Sequence, residues 1–421
     1  MQDWQEPSMK VLIANTLYYP DVVGGAEVST QLLAEGLAAA GVDVTVVCAT
    51  GTGVDHVSRL NGVKIWRLRF ANVYWPHRAG KRSRVAKLVW HAIDTHNLIM
   101  ARKLKEVVAR EKPDLVSTSN LSCLSVDLWR IAKNAGLPVV HTTRDYYLLC
   151  PAATMLSNNR SCERQCTLCA CYAGHKRTQS EQVDIAIGVS RFVLQKHLDN
   201  GFFSGASSTR VISDCHFPDA GDPPASPAPS PRDAVRLGML GRISPEKGIE
   251  LLIDELIKDT SLNWKLTIGG TGDGEYVASL KARYDDPRVR FLGHVDASSF
   301  LRELDVLVVP SRWNEPFGRV IVEAYSQGVP VVGANTGGIP EVIEPTSHLV
   351  FDINQPRSMI DKIHDAIEMS RDPETHDRLL RYADSFSPDR MVAAYLKVYS
   401  DALKQSATKS NHEAQLHVSS E

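Results

Sequence analysis

The first candidates for chemistry are two carboxylates, Glu315 and Glu323, in the stretch Asn314-Glu315-Pro316-Phe317-Gly318-Arg319-Val320-Ile321-Val322-Glu323-Ala324. The apolar run Val306 to Val309 precedes them and reads as a buried strand; Val329 to Val332 follows and reads as another. The residues between read as a helix. Pro316 suits its first position, where a missing N–H costs nothing, and Gly328 and Pro330 stop it. Strand, loop, helix, strand is a parallel crossover unit. Ligands of such sheets bind beyond the carboxyl ends of the strands, where bare helix N-terminal amides attract anions. Glu315 therefore falls where a ligand would lie, with Glu323 two turns along. As a lone pair they would equally serve as helix-end carboxylates balancing the macrodipole.

Other motifs shift that balance. Gly241-Arg242-Ile243-Ser244-Pro245-Glu246-Lys247-Gly248 directly follows the apolar run Val235 to Leu240. Arg242 offers a planar fork and Lys247 a point charge, a pair that suits a diphosphate and the charge developing on a departing phosphate. Gly269-Gly-Thr-Gly-Asp-Gly274 also follows a strand and would let backbone approach a ligand, although its glycines lack the spacing of a dinucleotide fingerprint. Gly337-Gly-Ile-Pro-Glu341 reads as another loop beside the same region.

The elements that must hold these loops alternate in two halves. Strands are expected at Lys10–Ala14, 42–48, 114–117, 138–141 and 185–189, with a helix over 26–40. The proline-rich stretch 217–233 cannot form a helix or an inner strand and reads as a linker. The alternation then restarts. The expected organisation is an N-terminal Rossmann-like acceptor domain (9–216), the linker (217–233), a C-terminal Rossmann-like donor domain (234–387), a helix (388–404) crossing back to the first half, and a disordered tail (405–421). The fold class is α/β, two doubly wound domains facing across a cleft. With 421 residues, 43% of them hydrophobic, the chain can bury ample core, and a net charge of −2 gives no field favouring nucleic acid. No run of eighteen apolar residues and no signal-peptide pattern at the N-terminus is present, so the expected place is the cytoplasm, with the inner membrane face as a peripheral site.

Taken in order, Gly-Arg-Ile-Ser-Pro-Glu-Lys-Gly, the Gly270/Gly272 loop, Phe291-Leu-Gly-His-Val295, Glu-Pro-Phe-Gly with Glu323, and Gly-Gly-x-Pro-Glu resemble the family-four retaining glycosyltransferases of GT-B fold. The likeness covers the second half almost continuously. In the first half it includes Gly24-Gly25-Ala26-Glu27 and Ile187-Gly-Val-Ser190. It implies transfer, with retention, of a sugar from a nucleotide-diphosphate sugar, without an obligatory metal or other cofactor; no Asp-x-Asp pair is present, in keeping with this. By the same likeness Arg242 and Lys247 hold the diphosphate and Glu323 the ribose. Glu315, with backbone near Phe317, Gly318, Arg319 and Val320, holds the transferred sugar. Gly272 and the main chain near Val295 meet the nucleotide, and Gly24 and Gly25 let the first-half loop approach the phosphates and acceptor.

One position departs from the family. Many relatives carry His-Asp at the end of a first-half strand; here Val139-Val-His-Thr-Thr-Arg-Asp145 puts Arg144 where the histidine would be. Arg144 is a candidate catalytic residue as a charged hydrogen-bond donor, though a poor proton acceptor. His141 lies three residues earlier, on the opposite face by strand alternation. His294 falls in the loop expected near the base. Cys150, Cys162, Cys166 and Cys169 have spacing suited to a structural zinc, the alternative being reduced thiols in a loop. The basic run Arg78, Lys81, Arg82, Arg84 and Lys87 before Leu88-Val-Trp90 suits an anionic membrane surface and a lipid-linked acceptor, or a solvated helix edge. The function expected is sugar transfer to a glycan or lipid-linked acceptor in surface polysaccharide synthesis. Alternatives are a nucleotide-sugar epimerase of the same fold and a non-catalytic sugar-nucleotide-binding scaffold.

Overall fold

The structure is a computed structural model that describes residues 9–77, 82–157, 159–216, 234–355 and 357–418. The linker expected over 217–233, and Arg78 and Lys81 of the basic run, lie outside the described residues. Two compact units share the chain. The first takes in residues up to Met155, Glu163–Ser213 and the C-terminal segment from Pro388; the second comprises Leu156–Cys162 and Asp214–Ser387.

The strands in chain order, up to the linker, are β1 (Lys10–Ala14), β2 (Asp43–Thr50), β3 (His56–Leu60), β4 (Val63–Arg69), β5 (Leu115–Thr118), β6 (Val139–Thr143), β7 (Leu156–Ser157), β8 (Arg160–Ser161), β9 (Ile185–Gly188) and β10 (Ser208–Val211). In the first unit the sheet order is β10-β9-β6-β5-β1-β2-β4-β3, parallel except where β3 pairs antiparallel with β4. Strands β5, β6 and β9 are buried at every residue, as parallel strands covered on both faces must be. The order reverses between β1 and β5, the switch point at which such sheets bind ligands.

The last helix, Pro388–Val418, completes this unit. Tyr399 Oη donates to Ser117 Oγ at 2.8 Å, and Tyr395 Oη and Thr142 Oγ1 share a bond of 2.9 Å. A Cβ on Gly36 would stand 2.5 Å from Val392 Cγ2, so the helix Gly25–Ala39 meets the last helix at a distance that only glycine allows. The tail expected to be disordered from 405 instead continues this helix to Val418.

In the second unit β11 (Val235–Leu240), β12 (Trp264–Gly269), β13 (Val289–Gly293), β14 (Val306–Val309), β15 (Val331–Ala334) and β16 (Val350–Phe351) form an all-parallel sheet of order β13-β12-β11-β14-β15-β16. Leu237, Leu266, Val306 and Val332 carry its core against Ile253 and Ile363 from the helices Ile249–Lys258 and Ser358–Met369. The switch point lies between β11 and β14, two strands paired at Leu237–Val306 and Gly238–Leu307.

One local expectation is corrected. The helix after β14 spans Arg319–Tyr325, so Pro316 is a loop residue and not its first position. Gly318 precedes the helix at φ +97°, a left-handed turn that starts the helix three residues late. The loop before it is held by its neighbours instead, since Gly338 N donates to the Glu315 carbonyl at 2.7 Å.

Candidate glycosyl-donor site

The loops leaving β11 and β14 are bonded to each other at the switch point of the second unit. After β11 the chain forms a single 3-10 turn, Pro245–Lys247, and reverses at Gly248, whose φ is +77°. A Cβ on Gly248 would fall 1.9 Å from the Pro310 carbonyl oxygen, so this loop lies directly on the residue that follows β14. Arg312 N donates to the Glu246 carbonyl at 2.8 Å, a further tie between the loops.

This backbone brings Lys247 to Glu315. Lys247 Nζ donates to Glu315 Oε1 at 2.5 Å, Ser311 Oγ donates to the same oxygen at 3.0 Å, and the ammonium lies 5.2 Å from the centre of the Trp313 ring. Glu315 is buried and Lys247 half-buried. Arg242 leaves the end of β11 exposed; its Nη2 meets Glu246 Oε1 at 3.1 Å, an oxygen that also accepts from Ser244 Oγ at 2.7 Å. Arg242 is thus oriented by a carboxylate while its head remains in water. Arg319 Nη2 donates to Glu323 Oε1 at 2.8 Å, one helical turn apart. Phe317 is buried 5.9 Å from Phe386, centre to centre.

Beside this set runs a groove of about 340 Å³ lined by Ile243, the Gly270–Gly272 loop, Lys281, Phe291 and Gly293. Gly270 and Gly272 pack on backbone: a Cβ on either would stand within 1.8 and 2.0 Å of the Gly241 and Ile243 carbonyl oxygens respectively. The turn therefore serves close packing of two strand ends as well as lining the groove. Val295 stands at the adjoining strand end, where a Cβ on Gly269 would reach its Cγ2 at 2.7 Å.

Gly24, Gly25, Arg144 and His141 belong to the first unit. Gly24 caps the helix Gly25–Ala39, and its N–H donates to Glu27 Oε2 at 2.8 Å. Burial pushes the Glu27 carboxyl above its usual range, opposed by that N–H and by the charge of Arg144. Arg144 is itself buried, donating to Ser119 Oγ at 3.2 Å and to Tyr395 Oη at 3.3 Å, so it packs against the last helix. His141 is enclosed, bonded to Thr118 Oγ1 at 2.8 Å and edge-on to Trp129. Burial holds its pKa well below the ordinary histidine value. Of the four cysteines proposed for zinc, Cys150 and Cys166 each stand within hydrogen-bonding reach of Cys169, short of a ligand set closed on one point among the described residues. Cys166 Sγ caps the helix Thr167–Ser180 by accepting from Cys169 N, Cys150 is buried, and Cys162 belongs to the second unit. Sequence reasoning missed Ser311 and Trp313, which hold the Lys247–Glu315 pair. Their signal is position, directly after a buried strand and within four residues of Glu315.

Residues 234–369 match the family model described as glycosyl transferases group 1, and residues 23–205 match that of glycosyltransferase family 4. The chain belongs to the family-four, group 1 glycosyltransferases. This glycosyltransferase is 33% identical over 394 residues to an uncharacterised protein of the cps region of Klebsiella pneumoniae, covering 93% of this chain and 100% of that one. It is 29% identical over 176 residues to the O-antigen biosynthesis glycosyltransferase WclY of Escherichia coli, 42% of this chain and 49% of that one. Among solved structures, sucrose-phosphate synthase from Thermosynechococcus elongatus matches this glycosyltransferase with a TM-score of 0.71 at 18% identity, over 94% of this chain and 100% of that one. HepE of Anabaena, solved with UDP and glucose, matches with a TM-score of 0.63 at 18% identity, over 93% and 100%. These likenesses establish the GT-B fold.

Proposed function

We propose that this glycosyltransferase moves a sugar, with retention, from a nucleotide-diphosphate sugar to a glycan or lipid-linked acceptor in surface polysaccharide synthesis. The observation that carries the reading is the Lys247–Glu315 bond across the β11/β14 switch point, which sets a cation and a carboxylate side by side where a donor would lie. Breaking the anomeric C–O bond leaves positive charge on the sugar and negative charge on the phosphate. Lys247 and Arg242 favour the second, and Glu315 orients the sugar hydroxyls. Glu323 takes the ribose, and the groove beside Gly272 and Val295 the base. A leaving phosphate oxygen accepts the acceptor's proton on the same face, which retains configuration without a protein nucleophile. The UDP-bound state of HepE and the cps and O-antigen settings of the relatives support donor class and pathway.

A peripheral place at the membrane is supported by the helix Arg84–Thr95. Val85, Leu88, Val89 and Ile93 are exposed along it at helical spacing, beside Arg84 and Lys87, the pattern of an interfacial helix. Among the described residues no helix is long and apolar enough to cross a membrane.

The test is a nucleotide-sugar screen by thermal shift, then turnover of the best donor on lipid-linked acceptors with and without chelator. The product's anomeric configuration is read by NMR. Retained configuration and chelator-insensitive turnover are expected. An inverted product, or a covalent glycosyl-enzyme trapped on Glu315, would overturn the mechanism.

A further inference from the structure

We infer that His96, Asp127 and His175 bind one divalent transition-metal ion, Zn2+ by their chemistry, as a clip joining three helices of the first unit. His96 follows the helix Arg84–Thr95, Asp127 opens the helix Asp127–Asn134, and His175 projects from the helix Thr167–Ser180. Three elements far apart in sequence thus send one ligand atom each to a common point, with all three atoms within 4.8 Å of one another.

The spacings fit an ion. His96 Nδ1 and His175 Nε2 are 3.0 Å apart, His96 Nδ1 and Asp127 Oδ2 are 3.0 Å apart, and His175 Nε2 and Asp127 Oδ1 are 3.4 Å apart. Ligand atoms at zinc–ligand lengths around a tetrahedron stand roughly 3.3 Å from each other. Two imidazole nitrogens and a carboxylate are hard-to-borderline donors of the kind zinc takes. A metal would also resolve the facing imidazoles, since both nitrogens would then present lone pairs to one cation in place of competing for a proton.

The outer groups are in place. Asp127 is 0% exposed. Ser125 Oγ donates to its Oδ2 at 3.1 Å and Arg130 Nη2 to its Oδ1 at 3.4 Å, so the carboxylate's orientation is fixed from behind. The histidine side chains are 44% and 28% exposed, which leaves a path for the ion and a fourth position for water. None of the three belongs to the donor residues, all of which except Gly24 and Gly25 lie in the second unit. The ion's role is to fix the Arg84–Thr95 helix against the helix Thr167–Ser180, not to take part in sugar transfer.

The test uses the full-length protein stripped with chelator. Zn2+ is titrated by calorimetry, Co2+ by absorption, and melting is followed with and without Zn2+. One equivalent per chain, a four-coordinate cobalt spectrum without the thiolate charge-transfer band, and a higher melting temperature with Zn2+ are expected. His96→Ala and His175→Ala should each weaken Zn2+ binding by at least about 100-fold. Cys166→Ser with Cys169→Ser should leave it unchanged. His96 is exposed enough that its alanine variant is expected to fold, which circular dichroism checks; His96→Gln serves as a second variant. Absence of stoichiometric binding, binding kept in both histidine variants, or a thiolate band would overturn the assignment.

Discussion

Lys247 and Glu315 are 68 positions apart in the chain, yet one hydrogen bond joins them because the strands they follow, β11 and β14, are neighbours in the sheet. If they act as one unit on the donor, their effects are not additive. Lys247→Ala is expected to lower kcat/KM by about 100- to 1000-fold, the range for loss of one charge-stabilising group. Adding Glu315→Gln should cost far less than it does alone. Initial rates on the four proteins of the cycle measure this, and fully additive losses would separate the two residues into different roles.

Gly248 offers a structural control on the same loop. Its φ of +77° and the 1.9 Å approach of a built Cβ to the Pro310 oxygen make Gly248→Ala a clash of backbone with backbone. A loss of about 2–3 kcal/mol in urea unfolding is expected. Gly53→Ala, at φ +71° with nothing within 4 Å, should lose only about 1 kcal/mol. Equal losses would mean that the two loops do not bear on each other.

Acid should weaken the first unit through its buried histidines. Burial lowers the His197 pKa from 6.5 to about 4, and the bond to the Val193 carbonyl only partly opposes this. Between those values the unfolded chain binds the proton and the folded chain does not, so stability falls as pH drops from about 6.5 toward 4. His197 alone accounts for about 3 kcal/mol over that span; His141, also held well below its ordinary value by burial, adds in the same direction. Unfolding of His197→Phe at pH 7 and pH 5 should show a smaller drop than the unaltered protein. An identical drop in both would remove His197 from the account.

The exposed face of the helix Arg84–Thr95 predicts vesicle binding. Leu88→Glu with Val89→Glu removes apolar area and adds repulsion from anionic lipid, so flotation with anionic vesicles should fall by about tenfold or more. Thermal stability should change little, because both side chains are exposed. Unchanged flotation would leave this face without a role at membranes.

Much of the fold was legible because parallel strands announce themselves as short apolar runs. Lys10–Ala14 and Val306–Val309 were read to the residue. The strands β3 and β4 were missed although Asn61-Gly62 lies between them, both residues at positive φ as a tight hairpin turn requires. β3 is exposed along nearly all its length and carries no apolar run, so a reading weighted to buried strands passes over it. Of the candidate site, the loop motifs were legible because Gly and charge cluster after strands. Ser311 and Trp313 were not, since a hydroxyl and an indole signal nothing until the loop is seen folded onto Lys247. Arg144 is a candidate for facing substrate on the sequence alone, and its bond to Tyr395 comes from a helix some 250 residues later. No local pattern carries that information. The His96, Asp127 and His175 set was invisible for the same reason.

That final helix has a consequence for biogenesis. Since Tyr395, Tyr399 and Val392 finish the packing of the first unit's sheet, that unit cannot close its core until residues translated after the whole second unit are made. The later-translated Rossmann half has no such debt, and it can mature first.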